Sequence, residues 1–61
     1  MMSARVLIAD DHAVVRAGLR QMLAEDGAVG DIGEAATGQQ TLERLRESQW
    51  ELLILDIGMP D

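Results

Sequence analysis

The chain has 61 residues, 48% of them hydrophobic, with one tryptophan and no phenylalanine, tyrosine or cysteine. This limits it to one small domain burying about 60% of its unfolded surface, and excludes disulfides, zinc-thiolate sites and thiol nucleophiles. Eleven acidic residues against five arginines give a net charge of −6, which argues against direct nucleic-acid binding, a task for basic surface.

The pattern begins with Val6-Leu7-Ile8-Ala9, a short continuous apolar run stopped by Asp10-Asp11. Such a run suits a strand buried on both faces, near 5–9. A helix near 12–26 follows, with Asp11 as its cap and Val15, Leu19, Met22 and Leu23 as its apolar stripe. Arg16 and Arg20 fall on the opposite, solvated face. Gly18 costs roughly 1 kcal/mol against alanine there and suggests close packing. Gly27 offers a left-handed helix end near Asp26. A weaker strand is expected near 32–36. Thr37 then opens a helix near 38–49, with Gln40 placed as in a capping box and Leu42 and Leu45 as its buried stripe. Trp50 reads as a loop residue covering the sheet. Leu52-Leu53-Ile54-Leu55 is again composed as a buried strand, near 51–56, and it ends at Asp56. Ile57 to Asp61 has turn chemistry from Gly58 and Pro60.

The order is βαβαβ, the mark of an α/β fold with a parallel sheet and right-handed crossovers. Ligands of such sheets bind outside the carboxyl ends of the strands, where Asp10, Asp11 and Asp56 are all expected. Spacing leaves two readings open. The acids can be a helix cap and turn residues. They can also converge, a like-charge cluster that a Mg²⁺ ion would relieve and that suits phosphoryl transfer onto a carboxylate. The longest apolar stretch, Leu52–Leu55, is too short to cross a membrane, and Val6–Ala9 is too short for a signal-peptide core, so the cytoplasm is the expected compartment. Residues 10–17 contain no glycine, which disfavours a nucleotide-binding loop.

Four segments, Val6 to His12, Val15 to Leu19, Gly33 to Gly38 and Leu53 to Pro60, resemble in order and spacing the receiver domain of bacterial two-component response regulators. The likeness is strongest to receivers that precede a LuxR-type helix-turn-helix domain (the NarL/FixJ group). It implies a CheY-like, three-layer doubly wound fold, of which residues 1–61 form the amino-terminal βαβαβ half with strand order 2-1-3. It also implies that Asp56 is the phosphoacceptor, served by the phosphohistidine of a sensor kinase. By the same resemblance Asp10 and Asp11 position Mg²⁺, with Asp56 and the backbone carbonyl of Gly58 completing its protein ligands. His12 is then a first-turn residue at the pocket rim. The protein is expected to be a regulator rather than a turnover enzyme, reaching DNA only through an output domain outside this chain.

Receivers continue through two more strands, which carry a Ser or Thr and a Lys that engage the phosphoryl group. The 61 residues contain no Lys, and their Ser and Thr lie elsewhere. The chain thus reads as half a receiver whose third strand is an exposed edge, so the isolated chain is expected either to fail to fold stably or to associate through it. Two rivals are a non-phosphorylated docking or dimerising piece and a Mg²⁺-dependent phosphohydrolase. The latter is disfavoured by Gly58, where such enzymes usually place a second acid.

Overall fold

The computed structural model describes residues 4–56. Gly58, Met59 and Pro60 lie outside the described residues. The elements are β1 (Ala4–Ala9), α1 (Ala13–Ala24), β2 (Val29–Ala35), α2 (Gly38–Glu47) and β3 (Leu52–Leu55). The strands form one parallel sheet in the order β2-β1-β3, as the resemblance implies. From β1 the chain crosses to one side and then returns past β1 to the other. With right-handed crossovers that reversal puts α1 and α2 on opposite faces of the sheet. The core agrees, because Val6, Leu7, Ile8 and Ala9 are all buried in succession. Successive strand residues point to opposite faces, so an unbroken buried run needs cover on both.

β2 begins at Val29, earlier than the expected 32. Gly30 and Asp31 are poor strand formers and hide the strand from a propensity reading. Pairing with β1 supplies the order instead: Ala4 N–H donates to Ala28 O at 2.7 Å. The register shifts there, so that Ala4 opposes Val29 while Arg5 opposes Asp31.

α1 turns Leu19 and Leu23 to the sheet as expected but not Val15 or Met22, and α2 does not bury its leucine stripe. On α1, Val14 is 85% exposed, and Val15 and Met22 are exposed too. Arg16 and Leu19, by contrast, are partly buried. Arg16, Leu19, Arg20 and Leu23 stand at i, i+3, i+4 and i+7, a face of the expected shape beginning one residue later. Glu34 of β2 explains the shift, since it pairs with both Arg16 (3.2 Å) and Arg20 (2.8 Å), whose alkyl stems can lie along apolar surface. The expectation of a solvated arginine face is therefore corrected for Arg16, whereas Arg20 stays exposed as expected. On α2 the buried residue is Thr41, while Leu42 and Leu45 are exposed. Thr41 tolerates burial because its hydroxyl donates to Thr37 O at 2.8 Å.

The helix ends differ in detail from the expected caps. His12, not Asp11, is the N-cap of α1, and its side chain makes no capping bond. α1 stops at Ala24, followed by Glu25 in a right-handed conformation, and no described glycine adopts a positive φ. Gly27 therefore supplies no left-handed cap. A Cβ at Gly18 would meet nothing within 4 Å, so Gly18 mediates no close packing. Thr37 does cap α2, accepting from Gln40 N–H at 3.0 Å. Gln40 reaches back one residue further than in a capping box, its Oε1 accepting from Ala36 N–H at 2.8 Å.

Trp50 covers the sheet as expected. Its indole N–H donates to Arg44 O at 3.0 Å, and the Arg5 guanidinium lies 4.9 Å from its ring centroid. A Cβ on Gly33 would come within 2.5 Å of the indole ring, so the ring seats where β2 has no side chain.

Candidate functional site

The sheet register brings the acids together. Ala9 pairs with both Ala35 and Leu55, so Asp10 and Asp56 each follow the last paired residue of neighbouring parallel strands. Backbone bonds extend the ladder one step: Asp10 N–H donates to Ala35 O at 3.0 Å and Asp56 N–H to Ala9 O at 2.9 Å. Asp11 follows in the short connection to α1. Asp10, Asp11, His12 and Asp56 each offer one ligand atom, and these atoms lie within 4.8 Å of one another. Residues from opposite ends of the chain thus meet at the carboxyl rim of the sheet, where ligands of parallel α/β folds sit.

The environments of the three carboxylates differ. Asp10 is buried, while the Asp11 and Asp56 side chains are each 29% exposed. Asp10 is held below the ordinary carboxylate range, chiefly because His12 N–H donates to its Oδ1 at 2.8 Å, an effect that burial opposes. The His12 ring lies over the cluster. Its Nδ1 is 3.1 Å from Asp10 Oδ1, 2.9 Å from Asp11 Oδ1 and 3.7 Å from Asp56 Oδ2. The hydrogen bond to Asp10, followed by the charge of Asp11, raises the His12 pKa above its ordinary value. When protonated, the His12 ring supplies a countercharge to the three crowded carboxylates. The sequence placed His12 at the rim; that its ring reaches all three acids follows from its position at the helix cap.

Two arginines and a glutamate back this rim. Arg16 donates through Nη1 to the Asp10 carbonyl at 2.6 Å and through Nε to Glu34 Oε1 at 3.2 Å. The other Glu34 oxygen takes Arg20 Nη1 at 2.8 Å. A separate open groove, lined by residues that include Arg5, Gly33, Arg44 and Trp50, contains none of the four clustered residues. Its charged lining residues, Arg5, Glu34, Arg44 and Glu47, are already engaged within the fold.

A parallel α/β sheet with several carboxylates crowded at its carboxyl rim can serve a phosphoryl- or cation-handling module. Comparison with known proteins specifies which. The profile of the response regulator receiver domain matches residues 6–61, and the chain belongs to that family. Receiver domains of response regulators are signalling modules. The chain is 42% identical over 57 residues, 93% of its length, to the uncharacterized transcriptional regulatory protein YhcZ of Bacillus subtilis, covering 27% of that protein. It is 38% identical over 56 residues to the response regulator GacA of Pseudomonas viridiflava, 92% of this chain and 26% of that one. The identity is also 38% over 56 residues with protein-glutamate methylesterase/protein-glutamine glutaminase 1 of Syntrophomonas wolfei, covering 92% of this chain and 16% of that protein. The chain thus spans about a quarter of the first two relatives and less of the third. No solved structure gives a significant match. No described helix is long and apolar enough to cross a membrane.

Proposed function

We propose that the chain is the amino-terminal half of a phosphoacceptor receiver, and that Asp56 takes a phosphoryl group from a histidine kinase. The observation that carries this reading is the convergence of Asp10, Asp11 and Asp56 at one strand rim in a member of the receiver family. A carboxylate oxygen of Asp56 attacks phosphorus, the phosphorus–nitrogen bond of the kinase's phosphohistidine breaks, and the departing imidazole keeps the electron pair and takes up a proton. The product is an aspartyl phosphate. Asp10, held ionised by His12 N–H, keeps negative charge at the rim, and Asp11 adds to it from the same connection.

The donor set fits Mg²⁺, because clustered carboxylate oxygens are hard ligands of the charge and number that this ion takes. Asp10, Asp11 and Asp56 would hold it, with the Gly58 carbonyl as a further ligand implied by the family pattern. Bound there, the ion supplies neutralisation of phosphoryl oxygens. The His12 ring, whose Nδ1 lies against Asp10 and Asp11, would share these carboxylates with a bound cation.

The relatives' names divide between transcriptional regulation and ester chemistry, which supports a shared receiver segment joined to different outputs. In the parent protein of this chain the output we infer is a LuxR-type DNA-binding domain controlling transcription in the cytoplasm. A second reading is that the chain serves as an association element through β3, favoured by the exposure of Leu52, Leu53 and Leu55 on an edge strand of the described sheet.

Incubation with acetyl phosphate and Mg²⁺, followed by intact mass, separates the readings. A single phosphoryl adduct, lost in Asp56→Ala, is the expected result. No adduct on the unsubstituted chain leaves only the association element, and steady release of phosphate marks a hydrolase.

A further inference from the structure

We propose that Arg16 is a positioning residue for the cation site: by clamping the Asp10 carbonyl to Glu34 it sets the geometry of the two acids at the end of β1. The inference rests on the reading that the acids hold Mg²⁺. Asp10 and Asp11 share one peptide unit, the first point at which the chain leaves β1. The N–H side of Asp10 is fixed by Ala35 O at 3.0 Å. Its carbonyl side is fixed by Arg16 Nη1 at 2.6 Å. With both ends of the residue held, rotation about its backbone is restricted, and the Asp10 side chain and the departure of Asp11 are set together.

Arg16 is itself aimed. Its side chain is only 19% exposed, and its Nε donates to Glu34 Oε1. Glu34 pairs in register with Ile8 of β1, and its own carbonyl accepts from Arg44 Nε at 3.3 Å. The clamp therefore runs from the edge strand β2 to the rim through a side chain whose planar fork serves two acceptors at once. A lysine ammonium in the same place has no such fork. Partners of this outer kind, which orient ligands without touching the metal, typically alter metal affinity by about 10- to 100-fold.

The sign of the effect discriminates. Arg16 is a cation near a cation site, so charge alone predicts that its removal tightens Mg²⁺ binding. Positioning predicts the reverse. The test is calorimetric titration of Mg²⁺ into the unsubstituted chain, Arg16→Gln, Arg16→Lys and Glu34→Gln, each affinity divided by the folded fraction from circular dichroism so that mere destabilisation is removed. We expect about a 10-fold or greater weakening in Arg16→Gln, incomplete rescue in Arg16→Lys, and a smaller loss in the same direction in Glu34→Gln, which keeps an acceptor oxygen. Unchanged or tighter binding in Arg16→Gln overturns the proposal while leaving the phosphoacceptor reading intact; Glu34→Gln, where charge and positioning act in the same direction, reports only the size of the effect. Absence of Mg²⁺ binding in the unsubstituted chain overturns both.

Discussion

At the scale of single residues, the site is a problem in charge crowding, and His12 is where that problem can be measured. Its ring faces three carboxylates, and its folded pKa lies above the ordinary 6.5. A group that binds its proton more tightly when folded favours the fold below its unfolded pKa, and that contribution is lost as pH rises through the folded value. Asp10 has the opposite sign. Its lowered pKa favours the fold above the ordinary 3.8 and is lost as pH falls through the folded value. Proton NMR of the His12 ring should therefore show a midpoint above that of a free histidine, moving down when Mg²⁺ saturates the acids. A midpoint that ignores Mg²⁺ would separate the imidazole from the cation site. The acids themselves were legible as the abrupt ends of two apolar runs. The reach of His12 was not, because it depends on where the helix cap falls in space.

At the scale of elements, two local devices hold the layers in place. Thr37 caps α2 through its hydroxyl, and Thr37→Ala should cost about 1 kcal/mol in urea unfolding. Gly33 is the seat of the Trp50 ring, whose Cη2 atom lies 2.5 Å from where a Cβ would be. Gly33→Ala must displace the indole, together with its bond to Arg44 O and its stacking on Arg5. We expect a loss of about 1–3 kcal/mol, seen as a lower urea midpoint and a shifted tryptophan emission; an unchanged midpoint would mean that the ring has room to slide. Element type and order could be read from the sequence because strand and helix periodicities differ. Which face each helix packs could not, since in α1 the choice between Val15 and Arg16 turns on Glu34, a residue of the next strand.

At the scale of the whole molecule, the described sheet has β1 as its only central strand, with β2 and β3 at its edges. β3 was composed for burial, yet Leu55 is 52% exposed and Leu52 and Leu53 are exposed with it. A short apolar edge strand is a template for pairing with another chain. The 61-residue chain should therefore associate with rising concentration in sedimentation velocity, and Leu52→Lys, at the end of β3 remote from Asp56, should suppress that association. A folded monomer at micromolar concentration throughout would count against the edge as an association surface.

The sequence by itself determined the βαβαβ order, the family, and the three aspartates placed where apolar runs stop, because local periodicity and motif spacing are properties of neighbouring residues. The tertiary structure alone decided that Ala9 lies level with Leu55, which puts Asp10 beside Asp56, and that an arginine rather than a valine turns toward the sheet. Both depend on pairings between residues far apart in the chain, where hydrogen-bond register and a countercharge on the next strand outweigh what any single segment prefers.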